Sequence, residues 1–281
     1  MPDAGPTAVL PRRPLTVGEL LDAAVLLLRD QARVLVPLAL LLALAEQAVL
    51  HPLRMLAGTE PPFWWPAEFG DSLPAYWLLL AAGAGTEAAI VALLGAPAAR
   101  GAGAALLGRR PAPSELLRGA RLGAALPAAV LVGLTVTAAG LTGPGWFPAY
   151  ALLGLVVPVL VLDGVPAHLV PWRTLRLAGR VSARAAAIRL LGYLGWWLIR
   201  LGIGLGLYQG LTMLGLFDVS AWALPVTIAA FTAVNALAYP ALACLDAVLH
   251  LETRIRTEGL DIRLSRAPAD VPEPVLLAAH R

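Results

Sequence analysis

The chain has no lysine: all 21 of its basic residues are arginine. It has little charge of either sign, with 14% of its 281 residues charged against 59% hydrophobic. Soluble globular domains are nearer half apolar and about a quarter charged. So apolar a chain cannot cover a water-facing surface, and lipid must act as solvent for much of it. Cysteine occurs once, as Cys244, which excludes an intramolecular disulfide. The four histidines, His51, His168, His250 and His280, are scattered without metal-ligand spacing, so no metal site is expected. There is no nucleophile elbow and no phosphate loop. The run Gly101-Ala102-Gly103 follows no strand, which argues against nucleotide binding, and no cofactor is expected. The first 15 residues lack a short apolar core with a small-residue cleavage site, so no cleaved signal peptide is expected. The net charge of +3 comes from arginines grouped beside apolar runs, a pattern that does not point to nucleic acid.

What the chain does have is long, continuous apolar runs rich in Leu and Ala. A water-filled barrel would read as short alternating strands; these runs read as helix. Six are near the roughly 20 residues needed to cross a bilayer: 34–53, 75–96, 122–141, 147–162, 194–216 and 221–249. The fourth is short and contains Pro158, and the sixth is long enough to continue past the membrane surface. The expected fold is therefore an all-α integral membrane protein, a six-helix bundle. The expected division is a flexible N-terminus at 1–14, a membrane domain at 15–264 and a flexible tail at 265–281.

Arginine placement sets the expected orientation. The N-terminal segment to Arg33 carries four; the loops after the second and fourth spans carry five each, as does the C-terminal segment. The opposite side has only Arg54, and Arg200 falls inside a span. The positive-inside rule then puts both termini in the cytoplasm and the protein in the plasma membrane. On the outer side, the loop 54–74 holds Phe63, Trp64 and Trp65 with Glu60, Glu68 and Asp71, and reads as an interfacial anchor.

Three segments on the arginine-rich side share a design: 15–34, 113–126 and 170–191. Each begins near Pro, Ser or Thr and continues as an amphipathic helix into a span, placing it in the membrane interface. Thr16 to Glu19 and Ser114 with Glu115 read as helix N-termini, with an oxygen-bearing cap and an acid in the first turn. The shared register implies three pseudo-repeated units, each an interfacial helix plus a two-span hairpin. These helices are also where a protein partner would dock; the bilayer is the other expected partner.

Two terminal stretches carry a family resemblance. Arg13-Pro14-Leu15-Thr16-Val17-Gly18-Glu19-Leu20-Leu21-Asp22 precedes the first span, and Arg254-Ile255-Arg256-Thr257-Glu258-Gly259-Leu260-Asp261 follows the last. Together they resemble the bacterial family related to the membrane domain of glycerophosphoryl diester phosphodiesterases. The resemblance implies a stand-alone six-span membrane module. It implies no phosphodiesterase, because that activity belongs to a separate soluble barrel of about 250 residues. Read physically, Arg254, Arg256 and Glu258 extend the last helix, Gly259 ends it in a left-handed conformation, and Leu260 folds back beside Asp261.

Ionisable groups inside a membrane are costly and mark functional candidates. Here they are Glu46, Glu87, Asp163, Arg200 and Asp246, with polar Gln47, Gln209 and Asn235. Glu46, Asp163 and Asp246 sit near span ends and read as interfacial. Glu87 and Arg200 lack local partners and read as a pair. Gly202, Gly206 and Gly210, spaced by four, form a flat stripe expected to pack another helix of the bundle. Three functions fit this pattern. The first is a non-catalytic scaffold or anchoring module in envelope or lipid-related machinery. The second is a transporter of a lipid or small molecule, and the third an intramembrane enzyme on lipid headgroups. No acid–base constellation favours the enzyme.

Overall fold

The computed structural model describes residues 10–62, 64–66, 70–180, 183–215, 219–268 and 271–279. Phe63, Glu68, Leu216, His280, Arg281 and most of the expected N-terminal segment lie outside them. Within them the chain is an α-helical bundle with one two-residue β-hairpin, Thr59–Glu60 (β1) against Trp65–Pro66 (β2). Five helices are long and apolar enough to cross a membrane, and a sixth stretch, Trp146–Leu162, is apolar but shorter.

Helix α1, Val17–Leu56, begins at a capping box. The Thr16 hydroxyl accepts the N–H of Glu19, and the Glu19 carboxylate accepts the N–H of Thr16 at 2.8 Å. At 1.5 Å per residue α1 is about 60 Å long. Sequence analysis divides it into an interfacial helix and a span, but the structure keeps one helix. The reason is an unbroken buried stripe, Leu20, Ala24, Leu27, Gln31, Leu35, Ala39, Ala43 and Glu46, at helical spacing. Arginines on the outer side of that stripe do not make a separate element.

Helix α2, Leu73–Leu106, runs well past residue 96 and is buried along most of its length. The short α3, Pro113–Gly119, is separated from α4, Leu122–Leu141, by Arg121 in the left-handed conformation at φ 51°. The fourth apolar segment is broken into α5, Trp146–Leu153, and α6, Val156–Leu162. Pro158 explains the break: it cannot donate to the carbonyl of Gly154, and its ring crowds that carbonyl. Gly154 also leaves room for a guanidinium, since a Cβ there would lie 2.1 Å from Nε of Arg189.

Helices α7, Val170–Arg180, and α8, Ala183–Met213, lead to α9, Val219–Glu258. Of the apolar window of α9, 72% is buried, against 17% for α8. Thus α9 with α1 and α2 forms the centre, while α8 lies outside with Leu198 and Ile203 exposed. Gly259, at φ 60°, ends α9, and Leu260 is fully buried at the start of α10, Leu260–Arg266.

Within the expected flexible tail, the described residues 265–268 and 271–279 include a segment that returns to the bundle. Residues Glu273–Leu277 form α11, and Leu277 is buried against the bundle. Arg254 donates to the carbonyls of Leu277 and Ala278, and Arg263 to those of Leu276 and Ala278. Glu273 lies 3.0 Å from Arg100 and 2.7 Å from Arg109. Gly103 permits the approach, since a Cβ there would sit 2.7 Å from Leu277 Cδ1.

The expected glycine stripe also changes role. A Cβ at Gly202, Gly206 or Gly210 would meet nothing within 4 Å, so this face of α8 points away from the chain's own helices. The tight crossing is made by α2 and α4 instead. A Cβ on Gly85 would lie 1.8 Å from Thr137 Oγ1 and 2.6 Å from the Gly133 carbonyl, and one on Gly133 would lie 2.8 Å from the Gly85 carbonyl. Backbone therefore rests on backbone, as small residues allow in membranes. Gly85→Val is expected to cost at least about 1–3 kcal/mol through overpacking. Gly206→Val is expected to stay within about 0.5 kcal/mol, as outward-facing substitutions do. Thermal unfolding in detergent micelles measures both, and equal losses would contradict this packing.

A buried polar seam as the candidate functional site

The centre of the bundle is not uniformly apolar. Along one face of α9 stand Asn235, Tyr239, Asp246, His250 and Arg254, spaced by four, seven, four and four. Steps of four and seven keep residues on one helix face. All five are nearly or fully buried. Nineteen residues of helix cover about 28 Å, close to the roughly 30 Å of a hydrocarbon core.

The first layer centres on Glu46 of α1, 5% exposed. Tyr239 donates to one of its oxygens at 2.6 Å, and Thr86 to the other at 3.0 Å. Asn235 Nδ2 in turn donates to the Tyr239 hydroxyl at 2.8 Å. Among the described residues no basic side chain pairs with Glu46.

The second layer holds the two residues singled out as a pair. Arg200 Nη2 lies 2.9 Å from Glu87 Oε1, with both side chains under 10% exposed. The N–H is not aligned for a hydrogen bond, and Glu87 Oε1, Arg200 Nε and Arg200 Nη2 are left without an aligned partner. The Arg200 guanidinium lies 5.5 Å from the Tyr193 ring centre and 5.7 Å from that of Tyr239.

In the third layer, Arg189 Nε donates to Asp246 at 2.6 Å, and its guanidinium lies 4.0 Å over the Tyr150 ring. Tyr150 packs on Tyr193 with ring centres 4.7 Å apart, joining this layer to the second. Arg189 is also the side chain that occupies the break between α5 and α6.

The fourth layer, at the arginine-rich end, is a knot around Asp163. Its carboxylate receives Arg173 at 2.8 Å, Arg254 at 3.0 Å and His250 Nε2 at 2.8 Å. An ionised carboxylate only accepts, so Nε2 carries the proton; Nδ1 has no partner. Glu258 pairs with Arg173 at 2.5 Å and with Arg254 at 3.0 Å. The family-like terminal motif is therefore structural here: Arg254 is fully buried and Arg256 joins Glu252 and the Leu15 carbonyl. Asp261 lies in the first turn of α10.

Glu46, Asp163 and Asp246 are thus buried among the helices of the bundle. Gln209, by contrast, is exposed on the outer side of α8. Arg189, His250, Tyr150, Tyr193 and Tyr239 were not anticipated as site residues; the periodicity on α9 is the signal that points to His250 and Tyr239. Compared with family models, curated proteins and solved structures, the chain finds no match.

Two outcomes are expected. Glu87→Leu or Arg200→Met alone leaves a buried charge unpaired, at about 3–5 kcal/mol, whereas the double variant replaces the pair with apolar bulk and approaches parental stability. Additive losses in thermal unfolding would refute the pairing. Asp163→Asn leaves Arg173 and Arg254 facing a neutral group and is expected to cost about 3–5 kcal/mol. Thermal unfolding measures it, and an unchanged midpoint would count against the knot.

Proposed function

We propose that the protein is a transporter of amphiphilic, lipid-like molecules. The observation that carries this is the buried charged seam running through the bundle beside a broken apolar helix. Discontinuous helices at membrane depth are tolerated where they are buried in protein or line a polar path, and they build many transporter sites. The seam retains buried atoms without partners at Glu87, Arg200, Arg189, Asn235 and Tyr150, the places where water or a substrate group would bind.

An amphiphile is favoured by a neighbouring cleft of about 220 Å³, lined by Trp77, Leu80, Ala84, Gly140, Trp146 and Tyr193. Tyr193 is also the ring beside Arg200. An acyl chain in this apolar cleft would bring its polar head to the Glu87–Arg200 pair. In this reading the chain crosses the plasma membrane six times, the broken segment being the fourth, with both termini and the arginine-rich end cytoplasmic. The module follows the family resemblance of its terminal motifs, and its three units are pseudo-repeats.

A scaffold role has one observation in its favour: around α7, the apolar side chains of Leu169, Trp172 and Leu175 are exposed. Reconstitution decides between the two. Proteoliposomes containing fluorescent-headgroup lipids should show transbilayer movement by quenching with a membrane-impermeant reductant. Glu46→Gln, chosen because Glu46 has no ion-pair partner to lose, should slow it at least about tenfold while remaining monodisperse. Inert wild-type protein, with a stoichiometric partner captured in native membranes, would transfer the weight to the scaffold.

A further inference from the structure

A second polar site lies apart from the seam, where α1 meets the connection between α2 and α3. A cleft of about 330 Å³ is bounded there by Arg29, Asp30, Gln31, Arg33, Pro113 and Leu116. It sits at the arginine-rich end, just before the apolar run of α1 begins at Val34, which also lines it. We propose that this cleft binds the phosphodiester headgroup of an anionic phospholipid from the leaflet at that end.

The charge pattern is the first argument. Arg29 and Arg33 are one turn apart on α1 and exposed to the cleft. Among the described residues neither reaches a carboxylate. The one acid in the lining, Asp30, lies 3.9 Å from Arg110, so the two cleft guanidiniums leave the cleft net positive. Two guanidiniums present forks of N–H donors matched to phosphate oxygens.

The second argument is the shape of the cleft. Gln31, 5% exposed, closes its inner side with Oε1 shielded from solvent. The amide is held in place by Gly101 of α2, where a Cβ would lie 1.8 Å from Gln31 Nε2. The glycine thus explains the Gly101-Ala102-Gly103 run at this point without any nucleotide. Pro113, Leu116 and Val34 supply an apolar wall where the glycerol and first methylenes would rest.

The site is independent of transport and would serve a scaffold equally, so its failure and that of the transport reading are separable. The test is native mass spectrometry of the full chain released from mixed micelles of phosphatidylglycerol and phosphatidylcholine. One phosphatidylglycerol should be retained. Arg29→Gln with Arg33→Gln should weaken retention about ten- to hundredfold, with thermal stability unchanged because both side chains are exposed. Equal retention by the parent and the double arginine variant would overturn the proposal. Displacement of the lipid by millimolar inorganic phosphate would overturn the lipid assignment and give the site to a free phosphate.

Discussion

A carboxylate inside an apolar bundle has no water to fall back on, and the arrangement around Asp163 follows from that constraint. Its two oxygens draw in Arg173 from α7 and both His250 and Arg254 from α9. The same Arg254 has donors to spare, and it uses them on the carbonyls of Leu277 and Ala278. One buried anion thereby fixes the ends of α6 and α9, the start of α7 and the return of the C-terminal segment. Removing one member of such a knot strands the others in low dielectric, so the cluster stands or falls together.

Glycine placement complements this. Where backbones touch, as at Gly85 and Gly133, the contact fixes the distance between α2 and α4. Where a large side chain must pass a helix, as Gln31 passes Gly101 or Arg189 passes Gly154, a missing Cβ makes the passage. These positions matter because of what lies opposite them, which a spacing rule does not register. The regularly spaced Gly202, Gly206 and Gly210 face outward, although their pattern is the more conspicuous in the sequence.

That contrast marks how far the sequence is legible. Hydropathy locates five long helices and the short apolar stretch, because the length of an apolar run reflects the thickness it must cross. Thr16 with Glu19 and Gly259 are readable as helix ends because each acts through its own backbone neighbours. The proximity of Glu87 and Arg200 is inferable by elimination, since neither has a local partner. Arg189 is not: in sequence it is one more arginine among five on a loop, and only the break at Gly154, caused by Pro158, brings it inside. The burial of Asp163 and Asp246 is not legible, because nothing in a linear chain shows that α7, α8 and the end of α9 supply their cations. The continuity of α1 is missed for the converse reason: its exposed arginines conceal a buried stripe that never lapses.

Two layers of the seam differ in how their charges are held. Around Asp163 both carboxylate oxygens are engaged by aligned donors. Around Glu87 and Arg200 the charges are close, but their hydrogen-bonding directions are unfilled, and the rings of Tyr193 and Tyr239 flank the guanidinium. A cluster whose carboxylate is engaged on both oxygens resists displacement, because any shift loses several directed bonds at once. An ion pair held by proximity, with aromatic faces as alternative cation partners, tolerates a shift without stranding its charge. The bundle is thus held by directed bonds at the arginine-rich end and by charge proximity at the Glu87–Arg200 layer.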